Sequence, residues 1–437
     1  MRTALAAALG AVLTAGVATI PASAAPPAVP AQARQTLPAD DGWAAATTGT
    51  TGGSAADDAH VFVVRNRAEL AAALAGGTDP TPRIVLVKGT IDANVDDAGH
   101  PLTCADYADP AYGLDAYLAA YDPAVWGRTS RPSGPLEEAR VRSARNQAAR
   151  IQLRVGANTT IYGLPNARLV GANLLISNVD NVIVRNLRME DAADCFPAWD
   201  PTDGSAGNWN SAYDLITLTG ATHVWADHNT LSDGDNVDAN QPLHYGRPYQ
   251  VHDGALDVIR ASDLVTVSWN VFQEHDKTML IGSTNTVGAD VGKLRVTLHH
   301  NRFANVGQRV PRVRFGQVDV VNNYYYMTDE DTYSYSWGVG VQSAIYAENN
   351  FLLRSADLAP EDFVYDWGGT AITEIGTLTR VGTGPVREVD LVGEYNATHD
   401  PDLGTDAGWT PALRAGPVTP TVAVPVLVNA WAGAGKL

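Results

Sequence analysis

The sequence VTVSWN (265–270), VTLHHN (296–301) and VDVVNN (318–323) contains three β-rich segments that each end at an asparagine. The asparagines that close related segments are Asn186, Asn229 and Asn349. Successive asparagines are 43, 41, 31, 22 and 26 residues apart, a recurrence typical of stacked units that bury one continuous core. An antiparallel β-sandwich also spaces its strands evenly, but Asn-Gly hairpin signals are scarce here.

Asparagine at matched positions of a stack has two uses. It tolerates left-handed backbone at corners, and its amide can hydrogen-bond to the same residue of the next unit. We therefore expect these asparagines to lie at the corners of successive coils and to form a ladder.

Acidic and basic residues follow one another closely between Asp253 and Gly316. Asp253 and Asp257 open this stretch within DGALD, and Lys277 follows within EHDK. The arginines that close it, within QRVPRVRFG, are Arg309, Arg312 and Arg314. Acidic side chains supply the oxygen ligands that hard cations prefer, and clustered arginine and lysine bind anions. The combination indicates an anionic substrate held partly by a metal ion and partly by cationic side chains.

These motifs resemble those of the secreted bacterial pectate lyases of polysaccharide lyase family 1. The segments that stand in the family's order are HVWADHNTLSDG (223–234), DGALD (253–257), EHDK (274–277), LHHNRF (298–303), GQRVPRVRFG (307–316) and VVNNYYY (320–326). The similarity covers roughly residues 41–437. It implies an all-β fold, a right-handed parallel β-helix with long loops and a few peripheral helices. The step of 22 residues is then one coil, and the longer steps are coils with inserted loops.

The resemblance also implies a reaction and a site. The reaction is Ca²⁺-dependent β-elimination in (1→4)-α-D-galacturonan, de-esterified pectin, to 4,5-unsaturated oligogalacturonides. A proton leaves C5, and positive charge stabilises the negative charge that develops beside the uronate carboxylate. The implied Ca²⁺ ligands are Asp214, Asp253 and Asp257. Arg309 matches the family's proposed Brønsted base, and Lys277 and Arg314 match residues that bind the uronate carboxylate.

Spacing constrains the acidic motif. Residues four apart in an extended strand are separated by ~13 Å, whereas two ligands of one Ca²⁺ lie at most ~5 Å apart. The DGALD motif is therefore predicted to bend, and Gly254 permits the bend.

The arginine motif carries two further expectations. Arg312 and Arg314 are two residues apart and should share one face of a strand, although Arg312 stays outside the catalytic set. Because a general base must first be neutral, we expect burial, Ca²⁺ and Lys277 to lower the pKa of Arg309.

Two other features of the sequence bear on the extent of the site. The acidic stretch DGDNVDANQP (233–242) lacks the closing glutamate and strict alternation of an EF-hand, so we interpret it as a surface loop. The aromatic candidates for the cleft are Trp199, Trp209 and Trp337.

Alternative functions remain open at this stage. A pectin lyase acts on methyl-esterified pectin without Ca²⁺ and usually carries a basic residue at one acid position, whereas all three acids are present here. A β-helix polygalacturonase hydrolyses with paired carboxylates, but its NTD, GHG and RIK motifs are absent. A non-catalytic β-helix polysaccharide-binding protein would not need the acids together with Lys277, Arg309 and Arg314.

Composition limits the class of partner. The 437 residues carry a formal net charge of −18, with 45% hydrophobic and 18% charged residues. This is the composition of a globular protein, and its acidity argues against a nucleic-acid partner. The expected partner is polygalacturonate, bound at a local basic patch. Nothing in the sequence indicates oligomerisation, so we expect a monomer.

The N-terminus predicts export. Arg2, an apolar run and Ala22-Ser23-Ala24 form a secretory signal peptide over 1–24, so the mature protein is expected to be extracellular and without a membrane span. Residues 25–40 are rich in Pro and Ala and are predicted to be a linker. Residues 41–437 are predicted to form a single β-helix domain. Cys104 and Cys195 form either one disulfide or two unpaired thiols.

Four segments carry local predictions. RAELAAALA (67–75) and the charged run LEEARVRSARNQAARIQL (136–153) are predicted helices, and RIVLVKGTIDA (83–93) is a predicted strand. The C-terminal TPTVAVPVLVNAWAGAGKL (419–437) is predicted to pack outside the β-helix or to cap its end.

Overall fold

The protein's structure, a computed structural model, describes residues 29–329 and 332–437. The predicted signal peptide, 1–24, lies outside the described residues. No helix in the described part of the chain is long and apolar enough to cross a membrane.

Three long sheets run side by side along the molecule, and most coils contribute one strand to each of them. Sheet 1 pairs, in order, Val61–Val64, Arg83–Val87, Thr159–Gly163, Asp180–Arg185, Thr222–Asp227, Asp263–Ser268, Val296–His299, Gln317–Val321, Ala344–Glu348 and Ile372–Ile375. Sheet 2 pairs Gln152–Val155, Asn173–Ser177, Ile216–Thr219, Leu256–Ile259, Leu280–Ile281, Arg312–Val313, Trp337–Gly340 and Val364–Trp367. Sheet 3 pairs Thr90–Asp92, Arg168–Val170, Arg188–Glu190, Thr230–Ser232, Val271–Lys277, Arg302–Gln308, Tyr324–Met327, Phe351–Arg354, Leu378–Val381 and Arg387–Glu388.

Neighbouring strands in these sheets are parallel, except for the final antiparallel pair of sheet 3. The predicted parallel β-helix is therefore confirmed. The described chain also has two small antiparallel hairpins, which pair Ala198–Asp200 with Asn208–Asn210 and Leu243–His244 with Arg247–Pro248. Its α-helices are Arg67–Leu74, Cys104–Tyr107, Leu114–Ala120, Pro123–Trp126, Pro135–Ile151, Leu391–Asn396 and Val424–Trp431.

The core fills the space between the three sheets with Val, Ile and Leu side chains from successive coils. Aromatic rings stack there as well: Phe272 and Phe303 have ring centroids 5.1 Å apart, and Phe303 and Tyr325 repeat that separation. This distance is close to the ~4.8 Å between paired strands, so equivalent residues of adjacent coils pack directly on one another.

An asparagine ladder runs along the corner between sheets 1 and 3. The main-chain N–H of each member donates to Oδ1 of the next, at 2.8 to 3.0 Å. Its members are Asn229, Asn270, Asn301, Asn323 and Asn350. Because the ladder asparagines are fully buried, their amides satisfy backbone groups that water cannot reach.

Two of the asparagines predicted for the ladder, Asn186 and Asn349, lie one residue before the ladder position of their coil. Asn186 and Asn349 have φ of 57° and 50° and occupy the left-handed corner position that directly precedes the ladder position. The corner residues that precede ladder members are His228, Trp269, His300, Asn322 and Asn349. The two predicted uses of asparagine, left-handed backbone and ladder bonding, therefore belong to adjacent residues.

The local predictions hold with small changes. Helices cover Arg67–Leu74 and Pro135–Ile151, whereas the predicted strand over 83–93 is split by a turn, so that its halves enter sheets 1 and 3. Cys104 and Cys195 form a disulfide, with Cα atoms 5.3 Å apart. In the C-terminal segment, Val424 and Val428 pack on the outside of sheet 3 against Phe351 and its neighbours.

The predicted linker, 25–40, is wrong for the residues that the structure describes. Gln32 and Gln35 accept hydrogen bonds from the Arg185 guanidinium, at 3.1 and 3.0 Å. Leu37 is buried beside Trp225 of sheet 1. Apolar burial and buried hydrogen bonds hold this segment on the sheet, although its composition is that of a linker.

Candidate active site

The predicted site residues gather where sheets 2 and 3 meet, on neighbouring coils. Lys277 ends the strand Val271–Lys277 of sheet 3 and pairs with Gln308, so Arg309 follows one coil further along. Gly254 forms a bridge with Lys277, which brings the DGALD motif beside both cations. Lys277 and Gln308, which are 31 residues apart in the chain, thus meet through coil-to-coil register.

Asp214 and Asp257 face each other across Gly254. The N–H of Gly254 donates to Oδ1 of Asp214 at 2.8 Å, and the N–H of Leu280 donates to Oδ1 of Asp257 at 2.9 Å. A Cβ atom on residue 254 would lie 2.4 Å from Oδ1 of Asp257 and 2.8 Å from Oδ1 of Asp214. Only glycine leaves this space between the two carboxylates open.

The predicted bend in DGALD is confirmed, although Gly254 has a different reason for being there. The strand begins at Leu256, so Asp253 and Gly254 lie outside it. Gly254 is absent from the residues with positive φ, and its role is therefore the close approach of two carboxylates rather than a left-handed turn.

Burial and mutual repulsion destabilise the ionised acids. Burial, followed by the charges of Asp257 and Asp253, raises the pKa of Asp214 well above its usual range. Burial and the charge of Asp253 likewise raise the pKa of Asp257, although Arg309 and Lys277 act in the opposite direction. A bound divalent cation would remove both penalties, so the donor set fits a hard cation such as Ca²⁺.

Asp253 directs its carboxylate toward the cations. Its Oδ1 lies 3.7 Å from Nζ of Lys277 and 3.9 Å from a terminal guanidinium nitrogen of Arg309. Among residues 29–329 and 332–437, the group whose ligand atoms all lie within 4.8 Å of one another is Asp233, Asp238 and His252. The three predicted calcium ligands are neighbours but are less tightly convergent than that group.

Arg309 lies partly buried at the edge of this acidic cluster, with 18% of its side chain exposed. It has φ of 60° and follows directly after the strand Arg302–Gln308. Burial would lower the pKa of Arg309, but the charges of Asp253 and Asp257 outweigh it and raise that pKa. The carboxylates beside Arg309 therefore favour its protonated form, and the expected lowering, which depends on bound Ca²⁺, stays a prediction.

Arg312 and Arg314 share the outer face of sheet 2, as predicted, with Val313 buried between them. Arg314 donates to Oδ1 of Asn285 at 2.6 Å and to the carbonyl of Gly282 at 2.7 Å. Burial, with the charges of Arg312 and Arg309, lowers the pKa of Arg314 to about 10. The arginines thus form a partly desolvated cationic strip.

The aromatic neighbour of this strip was missed in the sequence. The guanidinium carbon of Arg312 lies 3.8 Å from the ring centroid of Trp367. The three tryptophans proposed for the cleft, Trp199, Trp209 and Trp337, are instead buried. Sequence spacing did not reveal Trp367, because two coils separate it from Arg312.

The stretch 233–242 is not simply a surface loop. Asp233 and Asp238 are buried, and they surround His252 and His275, which are buried too. The only sequence signal was the position of the two histidines, which flank the predicted acids and Lys277.

The comparisons with known proteins agree with this architecture. The family model described as pectate lyase matches residues 6–111 and 135–366. A pectate lyase of Bacillus subtilis (strain 168) is 49% identical over 407 residues, which is 92% of this chain and 94% of that protein. Pectate lyase E of Dickeya chrysanthemi is 37% identical over 323 residues, 72% of this chain and 68% of that protein.

Solved structures give the same result. A thermostable pectate lyase superposes with a TM-score of 0.90 at 48% identity, over 93% of this chain and 99% of that one. A pectate lyase bound to a hexasaccharide superposes with a TM-score of 0.88 at 46% identity, over 93% of this chain and 100% of that one. The chain therefore belongs to the pectate lyase family.

Proposed function

We propose that the protein is a Ca²⁺-dependent pectate lyase that cleaves (1→4)-α-D-galacturonan by β-elimination. Asp214, Asp253 and Asp257 hold the metal ion, Arg309 is the base, and Lys277 and Arg314 bind the uronate carboxylate. The observation that carries the proposal is the position of Asp253, whose Oδ1 faces both Lys277 and Arg309. The carboxylate of one proposed metal ligand therefore also lies beside the cationic residues of the site.

The acids supply a prepared cation site. Hydrogen bonds from Gly254, Thr217 and Leu280 orient the carboxylates of Asp214 and Asp257, and the missing Cβ of Gly254 leaves room between them. When bound, Ca²⁺ supplies positive charge that stabilises the developing carbanion and offsets the carboxylates that favour protonated Arg309.

The basic residues perform the remaining steps. Lys277 and Arg314 are each less than one tenth exposed, so they attract the uronate carboxylate in a poorly screened environment. Neutral Arg309 takes the proton from C5, the electron pair of that bond forms the C4–C5 double bond, and O4 departs from C4 and takes up a proton from solvent. Hydrogen bonds to Asn285 and Gly282 hold Arg314, so its contact with substrate needs little reorganisation.

We also propose that the chain is exported, with residues 1–24 removed, and that it acts as an extracellular monomer on pectate. The domain proposal is a single β-helix unit over 41–437, to which the packed residues 29–40 belong as well. The net charge of −18 makes the local basic strip the binding surface for a polyanion.

The experiment is to follow unsaturated uronide by its ultraviolet absorbance on de-esterified polygalacturonate, with added Ca²⁺ and with excess chelator. Absorbance that depends on Ca²⁺ supports elimination at the proposed site. Reducing ends without absorbance would overturn the assignment of Arg309. Activity indifferent to chelator and higher on methyl-esterified pectin would indicate a pectin lyase, and no product at all would leave a binding protein.

A further inference from the structure

The buried His275 links the predicted metal ligand Asp253 to Asp233 of the acidic stretch 233–242. Nδ1 of His275 hydrogen-bonds to Oδ1 of Asp233, and Nε2 of His275 hydrogen-bonds to the main-chain carbonyl of Asp253 at 3.0 Å. The ring is almost completely buried, so water does not compete for either contact. Carbonyl and carboxylate oxygens both accept hydrogen bonds, so both ring nitrogens of His275 act as donors.

This contact completes the fixation of the Asp253 main chain. The N–H of Asp253 donates to the carbonyl of Tyr213 at 3.2 Å, and the N–H of Gly254 donates to Asp214. With its carbonyl bound by His275, Asp253 has no free main-chain polar group. Its carboxylate can therefore move only by side-chain rotation, between Lys277 and Arg309 on one side and the other acids on the other.

The loop that carries Asp233 is itself anchored. Oδ1 of Asp238 accepts from the N–H groups of Val251 and His252, at 2.8 and 3.3 Å, and Nε2 of His252 contacts Asp191 at 3.0 Å. Val251 and His252, which precede Asp253, are therefore held by the same acidic stretch, 233–242, that holds His275 through Asp233.

The alternative use of this loop is a metal site of its own at Asp233, Asp238 and His252. Nδ1 of His252 lies 3.3 Å from Asp238 and 3.6 Å from Asp233, and Nε2 contacts Asp191 at 3.0 Å. Because carboxylates face both ring nitrogens, the ring and these acids already contact one another, and we interpret them as a frame for the loop.

We infer that His275, held by Asp233, is a positioning residue that sets the affinity of the enzyme for Ca²⁺ through the main chain of Asp253. The inference rests on the proposed calcium site and adds to it a residue outside the ligand set. Within the described chain, the His275 ring hydrogen-bonds to Asp233 and Asp253 rather than to Lys277 or the arginine strip, so it should act on metal affinity and not on the chemical step.

Two substitutions separate the two hydrogen bonds of His275. The amide nitrogen of Gln reaches the position of Nε2, so His275→Gln can retain the bond to Asp253. The amide nitrogen of Asn reaches the position of Nδ1, so His275→Asn can retain the bond to Asp233 and loses the bond to Asp253. His100→Asn, at an exposed histidine, is the matched control.

Calcium binding is measured by calorimetry without substrate, together with the Ca²⁺ dependence of kcat and the melting temperature in chelator. We expect His275→Asn to weaken Ca²⁺ binding by about 10- to 100-fold, the usual cost of losing a residue that orients a metal ligand, with kcat restored at saturating Ca²⁺. His275→Gln should weaken it by about 3-fold or less, and His100→Asn should leave it unchanged.

Three results would overturn the inference: equal shifts for Asn and Gln, no shift in either, or a lost kcat with unchanged calcium affinity. A lower melting temperature in chelator without a shift in calcium affinity would also reduce His275 to a structural residue. If the unsubstituted enzyme neither binds nor requires Ca²⁺, the proposed calcium site itself fails, which is a separate outcome.

Discussion

Nζ of Lys277 lies 3.7 Å from Oδ1 of Asp253, so a predicted substrate-binding cation and a predicted metal ligand form an ion pair. Lys277, the cationic member of this pair, is buried. Arg309 approaches the same oxygen at 3.9 Å, which makes Asp253 the link between the two halves of the site. Changes to any of these three residues should therefore affect both metal and substrate binding, and changes to Arg309, the proposed base, should also affect proton transfer.

Arg309→Lys should lower kcat by about 10²- to 10⁴-fold, the usual contribution of a positioned general base. Lysine keeps the charge but not the reach of the guanidinium, so binding of oligogalacturonate should remain measurable. The check is initial-rate kinetics on polygalacturonate together with calorimetric binding, with the exposed Arg145→Lys as control. A variant that keeps most of its kcat would show that Arg309 is not the base.

Gly254→Ala should raise the Ca²⁺ concentration for half-maximal activity by about 10-fold or more. The new Cβ would lie 2.4 Å from Oδ1 of Asp257 and 2.8 Å from Oδ1 of Asp214, so at least one carboxylate has to move. Loss of ligand orientation typically costs this much affinity. The control is Gly288→Ala, where the nearest atom is 3.9 Å away. Equal calcium dependence in both variants would contradict a metal site between the two acids.

The fold was largely predictable because its signal is local. Each coil places a β-rich segment before an asparagine, and residues near Asn270, Asn301 and Asn323 carry that pattern without interruption. Register was less predictable, since inserted loops change the spacing between coils from 22 to 43 residues. The left-handed corner and the ladder position are adjacent and both accept asparagine, which is why Asn186 and Asn349 were placed one residue off.

The proximity of the proposed site residues was predictable from the sequence motifs, but the orientation of their side chains was not. Lys277 and Arg309 could be found because they follow β-segments in recognisable motifs, and coil stacking then brings them together. The direction of the Asp253 carboxylate depends on charges from three coils, and the contact between His275 and Asp233 joins residues 42 apart. Such contacts leave no periodic trace in the sequence, so buried Asp233 and Asp238 were mistaken for surface residues.

Asn301→Ala should destabilise the protein by about 3–5 kcal/mol, because it leaves several buried backbone and amide groups without partners. Its amide donates to the carbonyl of Val267 at 2.9 Å and to Asn323 at 3.0 Å, and its Oδ1 accepts from Asn270. Asn350→Ala, at the end of the ladder, removes one fewer bond and should cost less. Urea denaturation measures both, and the reverse order would contradict a continuous ladder.

Glu374 should make stability depend on pH in a direction opposite to that of a salt-bridged carboxylate. Burial raises the pKa of Glu374 to about 7, although the N–H of Val392 donates to its Oε2 at 3.0 Å, and Oε1 has no partner. Between about pH 4.5 and 7 the folded protein holds a proton on Glu374 that the unfolded chain has released.

The contribution of Glu374 to stability is therefore greatest below pH 4.5 and is lost as the pH rises toward 7. Glu374→Gln should remove this part of the slope and make the protein relatively more stable at pH 8 than at pH 5, compared with the unsubstituted chain. Urea denaturation at the two pH values provides the measurement, and the exposed Glu388→Gln is the control. An unchanged slope in Glu374→Gln would show that this carboxyl ionises in the folded protein as it does in the unfolded chain.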